Sequence, residues 1–305
     1  MFGYVTRRVL SLIPLLFAVA TVTFFLMHAV PGGPFDSEHR FSPDIEQRLK
    51  EKYDLDGTIW TQYGHFLKNL SHADLGISFT QDKAVTERIR DGLPSTAELG
   101  LCAFAFALVI GLTLGVLSAI FHNGPIDYFG VFFATVGVTV PSFVMAVFLI
   151  LLFSLKLGWF DVLGWEFGNY RKMVLPSVSL GLLPAAYIAR VTRASMLEVL
   201  RQDYIRTARA KGLAEWHVIL GHALRNGLVP VLTIAGPILA GLITGSFIIE
   251  RTFAISGIGT SFVEAVGLRD YGMIMGTTLL YAVAIAVANM LVDIAYAIAD
   301  PRIRF

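Results

Sequence analysis

The chain has 305 residues and a mass of 33.4 kDa, with 55% hydrophobic residues, 15% charged residues and a mean hydropathy of +0.66. That balance is too apolar for an ordinary soluble domain and makes lipid the main solvent. Its 24 Lys and Arg nearly cancel 23 Asp and Glu, so charge distribution carries more than net charge.

Taken in chain order, Arg7 and Arg8 precede a continuous apolar run from Val9 to Val30. The run passes Ala18 and Ala20, where a cleaved secretion signal would end, and continues through Phe24, Phe25 and Leu26, so a retained first span is expected. A helix needs roughly 20 apolar residues to cross the hydrocarbon core with its backbone polar groups paired internally. Six stretches qualify, approximately Val9 to Ala29, Thr96 to Phe121, Tyr128 to Leu155, Val174 to Ala189, Gly227 to Ile249 and Met273 to Ile298. The fourth is short, but its pattern continues through Ile188, Val191 and Leu197 and projects beyond the bilayer. The expected fold class is an all-α polytopic membrane protein with six transmembrane helices, both termini on one side.

Basic residues cluster on that side: Arg7 and Arg8, then Arg190, Arg193, Arg201, Arg206, Arg209, Lys211 and Arg225, then Arg302 and Arg304. The excess predicts cytoplasmic N- and C-termini. The organisation is then residues 1–29 as cytoplasmic N-terminus and first span, 30–95 as an external segment, and 96–305 as a five-helix core whose cytoplasmic loop covers 190–226. The external segment mixes Arg40, Arg48 and Lys50 with Asp36, Glu38, Asp44 and Glu46. Within it Trp60, Tyr63, Phe66, Leu67 and Leu70 recur at helical spacing, predicting an amphipathic helix on the membrane face, on its own subunit or against a partner.

Gly111-x-x-x-Gly115 and Gly241-x-x-x-Gly245 are small-residue faces that let helices approach closely. Pro141, Pro184 and Pro237 interrupt spans and permit kinks. Cys102 is the single cysteine; it excludes an intrachain disulfide and a cysteine-based metal site and reads as a small buried apolar residue. The spans are nearly free of ionisable residues, which argues against a solitary secondary carrier or channel with mid-span coupling groups. Glu98, Asp127, Asp293 and His28 fall near span ends and read as interfacial or interhelical contacts. His217 and His222 have the wrong offset for a shared helical metal site, so no metal is assigned. No phosphate-loop, H-E-x-x-H or G-x-S-x-G motif is present, so no catalytic residue is assigned.

The most informative stretch runs from Glu198 to Pro230. Asp203 is placed to cap a short helix through Ile205, Ala208 and Ala210, and Gly212 supplies a left-handed stop. A second helix from Ala214 is expected to gather Trp216, Ile219, Leu220, Ala223 and Leu224 on one face. A small-residue helix flanked by Arg206, Arg209 and Lys211 suits a groove on a protein partner or a surface of anionic lipid.

The run Tyr204-Ile205-Arg206-Thr207-Ala208-Arg209-Ala210-Lys211-Gly212-Leu213, with His222-Ala223-Leu224-Arg225-Asn226 and Pro230, closely resembles the coupling loop of ATP-binding-cassette (ABC) importer permeases of the di- and oligopeptide branch. The N-terminal arginines and Ala29-Val30-Pro31-Gly32-Gly33-Pro34-Phe35 resemble the start of B-type oligopeptide permease subunits. So do Val140-Pro141-Ser142-Phe143, Thr244-Gly245-Ser246, Gly257-Ile258-Gly259, Arg269-Asp270-Tyr271 and Asp300-Pro301-Arg302-Ile303-Arg304. The resemblance covers essentially the whole chain. One departure is that the general importer pattern has Glu-Ala-Ala ahead of the loop glycine, where this chain has Arg206, Thr207 and Ala208. The variant resembles the peptide branch's own form.

The resemblance implies a type I ABC importer permease fold in a prokaryotic inner membrane. It also implies a second related permease, two ABC ATPase subunits below and an external substrate-binding protein above, with no nucleic acid. ATP and Mg would be bound by the ATPases and no cofactor by this chain. Asp203, Arg206, Thr207, Ala208, Arg209, Ala210, Lys211, Gly212 and Leu213 would dock in an ATPase groove. Thr233, Gly236, Thr244 and Ser246 are the candidates for lining the pathway, and Trp60 and Tyr63 for touching the binding protein.

Overall fold

The computed structural model describes residues 2–31, 57–80 and 82–299. The external charges from Asp36 to Lys50, the Gly32-Gly33-Pro34-Phe35 run and the closing Asp300 to Arg304 lie outside them. The elements are α1 (Phe2–Ala29), α2 (Ile59–Ser71), β1 (Ile77–Ser78), β2 (Lys83–Ala84), α3 (Val85–Ile120), α4 (Pro125–Thr139) and α5 (Ser142–Lys156). They continue with α6 (Tyr170–Leu200), α7 (Asp203–Ala210), α8 (Glu215–Gly227), α9 (Val229–Ile243), α10 (Phe247–Thr252), α11 (Ile258–Leu268) and α12 (Tyr271–Ala299).

Long apolar stretches set the architecture. Among the described residues α1, α3, α6 and α12 are each long and apolar enough to cross a membrane, and two bent pairs, α4 with α5 and α8 with α9, bring the number of candidate crossings to as many as six. The third expected span is the bent pair α4–α5, whereas the bend of 53° between α8 and α9 falls at the start of the fifth. Pro141 ends α4 at a bend of 108°, because the residue before a proline is driven out of helical geometry; Val140 has φ −83° and ψ 122°. Pro176 and Pro184 instead sit inside an unbroken α6. The fifth span is shorter than expected: α9 stops at Ile243, Gly245 turns with φ +91°, and Ser246 caps α10 by accepting the Ile249 N–H at 3.4 Å.

The chain divides into two compact units, one containing the described residues of Met1–Thr96 and Ser256–Ala286, the other those of Ala97–Ile255 and Val287–Phe305. In the first, Ala20 and Phe24 of α1 pack with Met275 and Leu279 of α12, and Tyr63, Phe66 and Leu70 of α2 close over them. The β1–β2 pair is antiparallel, with Ile77 opposite Ala84. Asp270, just before α12, binds this hairpin to the helix: its carboxylate accepts from Ser78 Oγ at 2.5 Å, Thr80 Oγ1 at 3.0 Å and the Met273 N–H at 3.1 Å.

In the second unit small residues bring the helices together. A Cβ on Gly111 would lie 2.7 Å from the Ala185 carbonyl oxygen, and one on Gly137 2.6 Å from the Ala186 Cβ. The first Gly-x-x-x-Gly face therefore works within the chain, against α6. Gly241, in the second such motif, has no neighbour within 4 Å of that position.

Candidate functional site

Two residues after α6 the backbone enters α7, an eight-residue helix. Gln202 occupies the N-cap position without a side-chain bond, correcting the expectation that Asp203 caps the helix. Asp203 lies in the first turn, where a carboxylate complements the positive end of the helix dipole; its Oδ1 is 3.5 Å from Arg206 Nη1. The far end follows the sequence reading. Gly212 has φ +77°, its N–H donates to the Arg209 carbonyl at 2.9 Å, and the Leu213 N–H to the Ala208 carbonyl at 3.4 Å. These are the paired hydrogen bonds of a Schellman stop, and glycine meets its left-handed requirement without a Cβ penalty.

The helix has two distinct faces. Ile205 and Ala208 are buried against Met196, Ala119, Val218 and Ala223. Ala208 therefore packs on its own chain, so it is not available to a groove on a partner. The exposed residues are Asp203, Tyr204, Arg206, Thr207, Arg209, Ala210, Lys211, Gly212 and Leu213. Arg209 is engaged within the chain: its Nη2 and Nε donate to Glu215 at 2.6 and 3.1 Å. These bonds raise the Arg209 pKa and hold that of Glu215 below its ordinary value. Arg206, 3.5 Å from Asp203, and Lys211 are the other cations on the outward side of the segment.

The expected apolar face of α8 splits. Val218 and Ala223 are buried, whereas Trp216 and Leu220 are about 60% exposed. A π-helical stretch from Val218 to Ala223 causes this, because wider turns rotate the register away from the 3.6-residue period. Tyr204 Oη accepts from Asn226 Nδ2 at 2.8 Å and ties α7 to α8.

The pathway candidates differ in exposure and in element. Thr233 is exposed on α9 while Gly236 is buried, and Thr244 and Ser246 flank the break between α9 and α10. On α2, Trp60 is 68% exposed, with its ring 5.4 Å from that of Phe25. Tyr63 is half-buried, its hydroxyl 2.7 Å from Thr21 Oγ1, so it serves to seat α2 on α1. Of the groups near span ends, Glu98 accepts from Trp165 Nε1 at 3.0 Å, His28 Nε2 lies 3.1 Å from Gln62 Oε1, and Asp127 is bonded to Arg193. The Asp293 side chain lies outside the described residues. Among the described residues no group of three or more His, Cys, Asp and Glu is arranged to hold a metal.

Residues 111–305 match the family described as binding-protein-dependent transport system inner membrane component, and residues 1–100 match its membrane component N-terminal family. The chain belongs to this family. Among these transport-system membrane components, it is 43% identical to the oligopeptide transport system permease protein OppB of Haemophilus influenzae, with 100% of both chains covered. It is 42% identical to OppB of Escherichia coli K12 over 100% of each, and 41% identical to the dipeptide transport system permease protein DppB of Bacillus subtilis over 99% of this chain and 97% of that one. The fold is that of type I ABC importer permeases. A chain of the inward-facing MetNI methionine ABC transporter superposes with a TM-score of 0.56 at 19% identity, covering 70% of this chain and 97% of that one. An amino acid ABC transporter gives 0.54 at 16%, covering 69% and 93%.

Proposed function

We propose that this chain is a membrane-spanning permease subunit of an ATP-driven ABC importer that carries oligopeptides or dipeptides into a prokaryotic cytoplasm across the inner membrane. Likeness to peptide permeases along both full lengths carries the reading. In it the chain pairs with a second related permease, receives peptide from an external binding protein and is driven by two ABC ATPase subunits that hold ATP and Mg. It catalyses no reaction and binds no cofactor itself. The concentration of Arg and Lys around α7 supports a cytoplasmic position for this segment and both termini.

The coupling element in this reading is Asp203 to Leu213, presenting Arg206, Thr207, Ala210, Lys211 and Leu213 to an ATPase groove while Ile205 and Ala208 fasten it to its own subunit. Closure of the ATPases on ATP then displaces α7, and the displacement switches the spans between inward- and outward-facing arrangements. Trp60, exposed on α2, is the proposed external contact with the binding protein. The test is mass spectrometry of the complex that copurifies with the chain after gentle detergent extraction. Recovery of a second permease and nucleotide-binding subunits supports the proposal; a single-component species that transports without ATP overturns it and favours a solitary carrier.

A further inference from the structure

A polar cluster at one end of α3, α4 and α6 has no part in the docking face. Asp127, in the first turn of α4, is 3% exposed. Arg193 of α6 donates from Nε to its Oδ1 at 2.6 Å and from Nη2 to its Oδ2 at 2.8 Å. The Asn123 N–H donates to Oδ2 at 2.9 Å, and His122 Nδ1, in the turn after α3, lies 3.0 Å from Oδ2 and 3.3 Å from Arg193 Nη2. The guanidinium fork meets the carboxylate in two parallel bonds, which fix direction as well as distance.

The adjoining layer is apolar and belongs to the candidate coupling helix. Three residues beyond Arg193 on α6, Met196 is fully buried against Ile205 and Ala208 of α7. Ala119, three residues before His122, completes the same cluster. Ion pair and apolar cluster thus occupy neighbouring turns of α6 and the end of α3, all within the second unit. From there α6 runs unbroken back to Tyr170, about 35 to 39 Å at 1.5 Å per residue.

Elsewhere α3 and α4 meet α6 through Gly111, Gly115 and Gly137 against Ala185, Ala189 and Ala186. These are contacts of shape, with Ile188 and Thr192 set over Gly111 and Gly115, and small residues there permit close approach without a hydrogen bond that fixes direction. The bidentate pair is keyed. A buried ion pair adds little stability over an apolar one, and its best-attested use is to select one arrangement among several.

We propose that Asp127 and Arg193, with His122, form a positioning clamp that makes the ends of α3 and α4 move with α6 and α7 as one body. Motion delivered to α7 then reaches the spans instead of being absorbed by slippage at the root of the coupling helix. These are positioning residues, and the inference rests on the importer reading above.

The test uses the complete importer in proteoliposomes and compares peptide uptake with ATP hydrolysis in the presence of binding protein. Asp127→Asn and Arg193→Met are expected to keep the ATPases bound and hydrolysing within about twofold of wild type, while peptide carried per ATP falls about fivefold or more, the scale of ordinary coupling energies. Arg193→Lys keeps the charge but loses the fork, so its ratio is expected to fall between; it also decides the matter if Arg193→Met does not assemble. A wild-type ratio in assembled Arg193→Met and Arg193→Lys complexes overturns the clamp. So does uptake that falls only in proportion to lost assembly, which marks a merely structural role. A wild-type complex showing no ATP-driven uptake overturns the importer reading itself.

Discussion

Replacing Ile205 with alanine separates anchoring of the coupling helix from its docking face. Ile205 is fully buried beneath α7, whereas Arg206, Thr207, Ala210 and Lys211 point outward. With eight residues, α7 is far below the roughly 12 to 15 residues at which isolated helices become even marginal. Its order therefore comes from packing on Met196, Val218 and Ala223. Truncating a buried isoleucine to alanine costs about 2 to 5 kcal/mol, and at about 1.4 kcal/mol per tenfold a loss near 3 kcal/mol raises the ratio of open to packed α7 roughly a hundredfold. Removing the exposed Lys211 charge changes stability by only about 0 to 1 kcal/mol. Trypsin reads this directly, since Arg206, Arg209 and Lys211 are cleavage sites within the segment. With reclosing fast relative to cleavage, nicking tracks the open population. In the permease purified without ATPases, Ile205→Ala should be nicked about a hundredfold faster, and in the full complex it should lose uptake; Lys211→Ala should barely alter nicking at the other sites. Wild-type nicking and uptake in Ile205→Ala, with both disturbed in Lys211→Ala, would refute the assignment of anchoring and docking faces.

Gly212→Ala meets no neighbour within 4 Å but must hold φ +77°, so it should destabilise the segment by about 1 kcal/mol, with Gly212→Asn milder, measured by the same trypsin assay. A Cβ at Gly111 would press on Ala185 and Ile188 of α6, so Gly111→Ala should lower the melting temperature in detergent at an overpacking cost of about 1 to 3 kcal/mol. The Arg209–Glu215 pair is half exposed; because the folded Glu215 pKa is depressed, its contribution is present above the ordinary glutamate value of about 4.3 and is lost as pH falls through the lower folded value. Glu215→Gln should therefore cost at most about 1 kcal/mol at pH 7 in thermal melts and less in acid; an equal or larger cost in acid contradicts the pairing. Tyr63→Phe should cost about 1 kcal/mol through loss of the Thr21 contact, whereas Trp60→Ala should cost about 0.5 to 1.5 kcal/mol through loss of its Phe25 ring contact and weaken stimulation by the binding protein.

Much of this architecture was legible because its determinants are local. Apolar length marked the spans, the spacing of Trp60, Tyr63, Phe66 and Leu70 marked α2, and Gly212 marked the stop of α7. Pro141 signalled an interruption but not its 108° angle, which depends on how α4 and α5 each pack on α6. The face assigned to Trp216 and Leu220 failed because a π-helical turn changes a register that a fixed period assumes. Ala208 looked free because its covering residue, Met196, lies on a different helix, and no spacing rule joins the two. The Asp127–Arg193 pair spans 66 positions; a single sequence shows both charges but not their meeting. Thr233, Gly236, Thr244 and Ser246 shared a composition suited to a pathway, but composition did not show that α9 ends at Ile243, between Gly236 and Ser246.

The most direct measurement is uptake of labelled peptide by proteoliposomes containing this chain, the permease and ATPases that copurify with it, and the binding protein. Uptake that requires both ATP and the binding protein, and disappears when the chain is omitted, is the outcome expected of an importer subunit. Uptake by this chain alone, without ATP, would contradict the account.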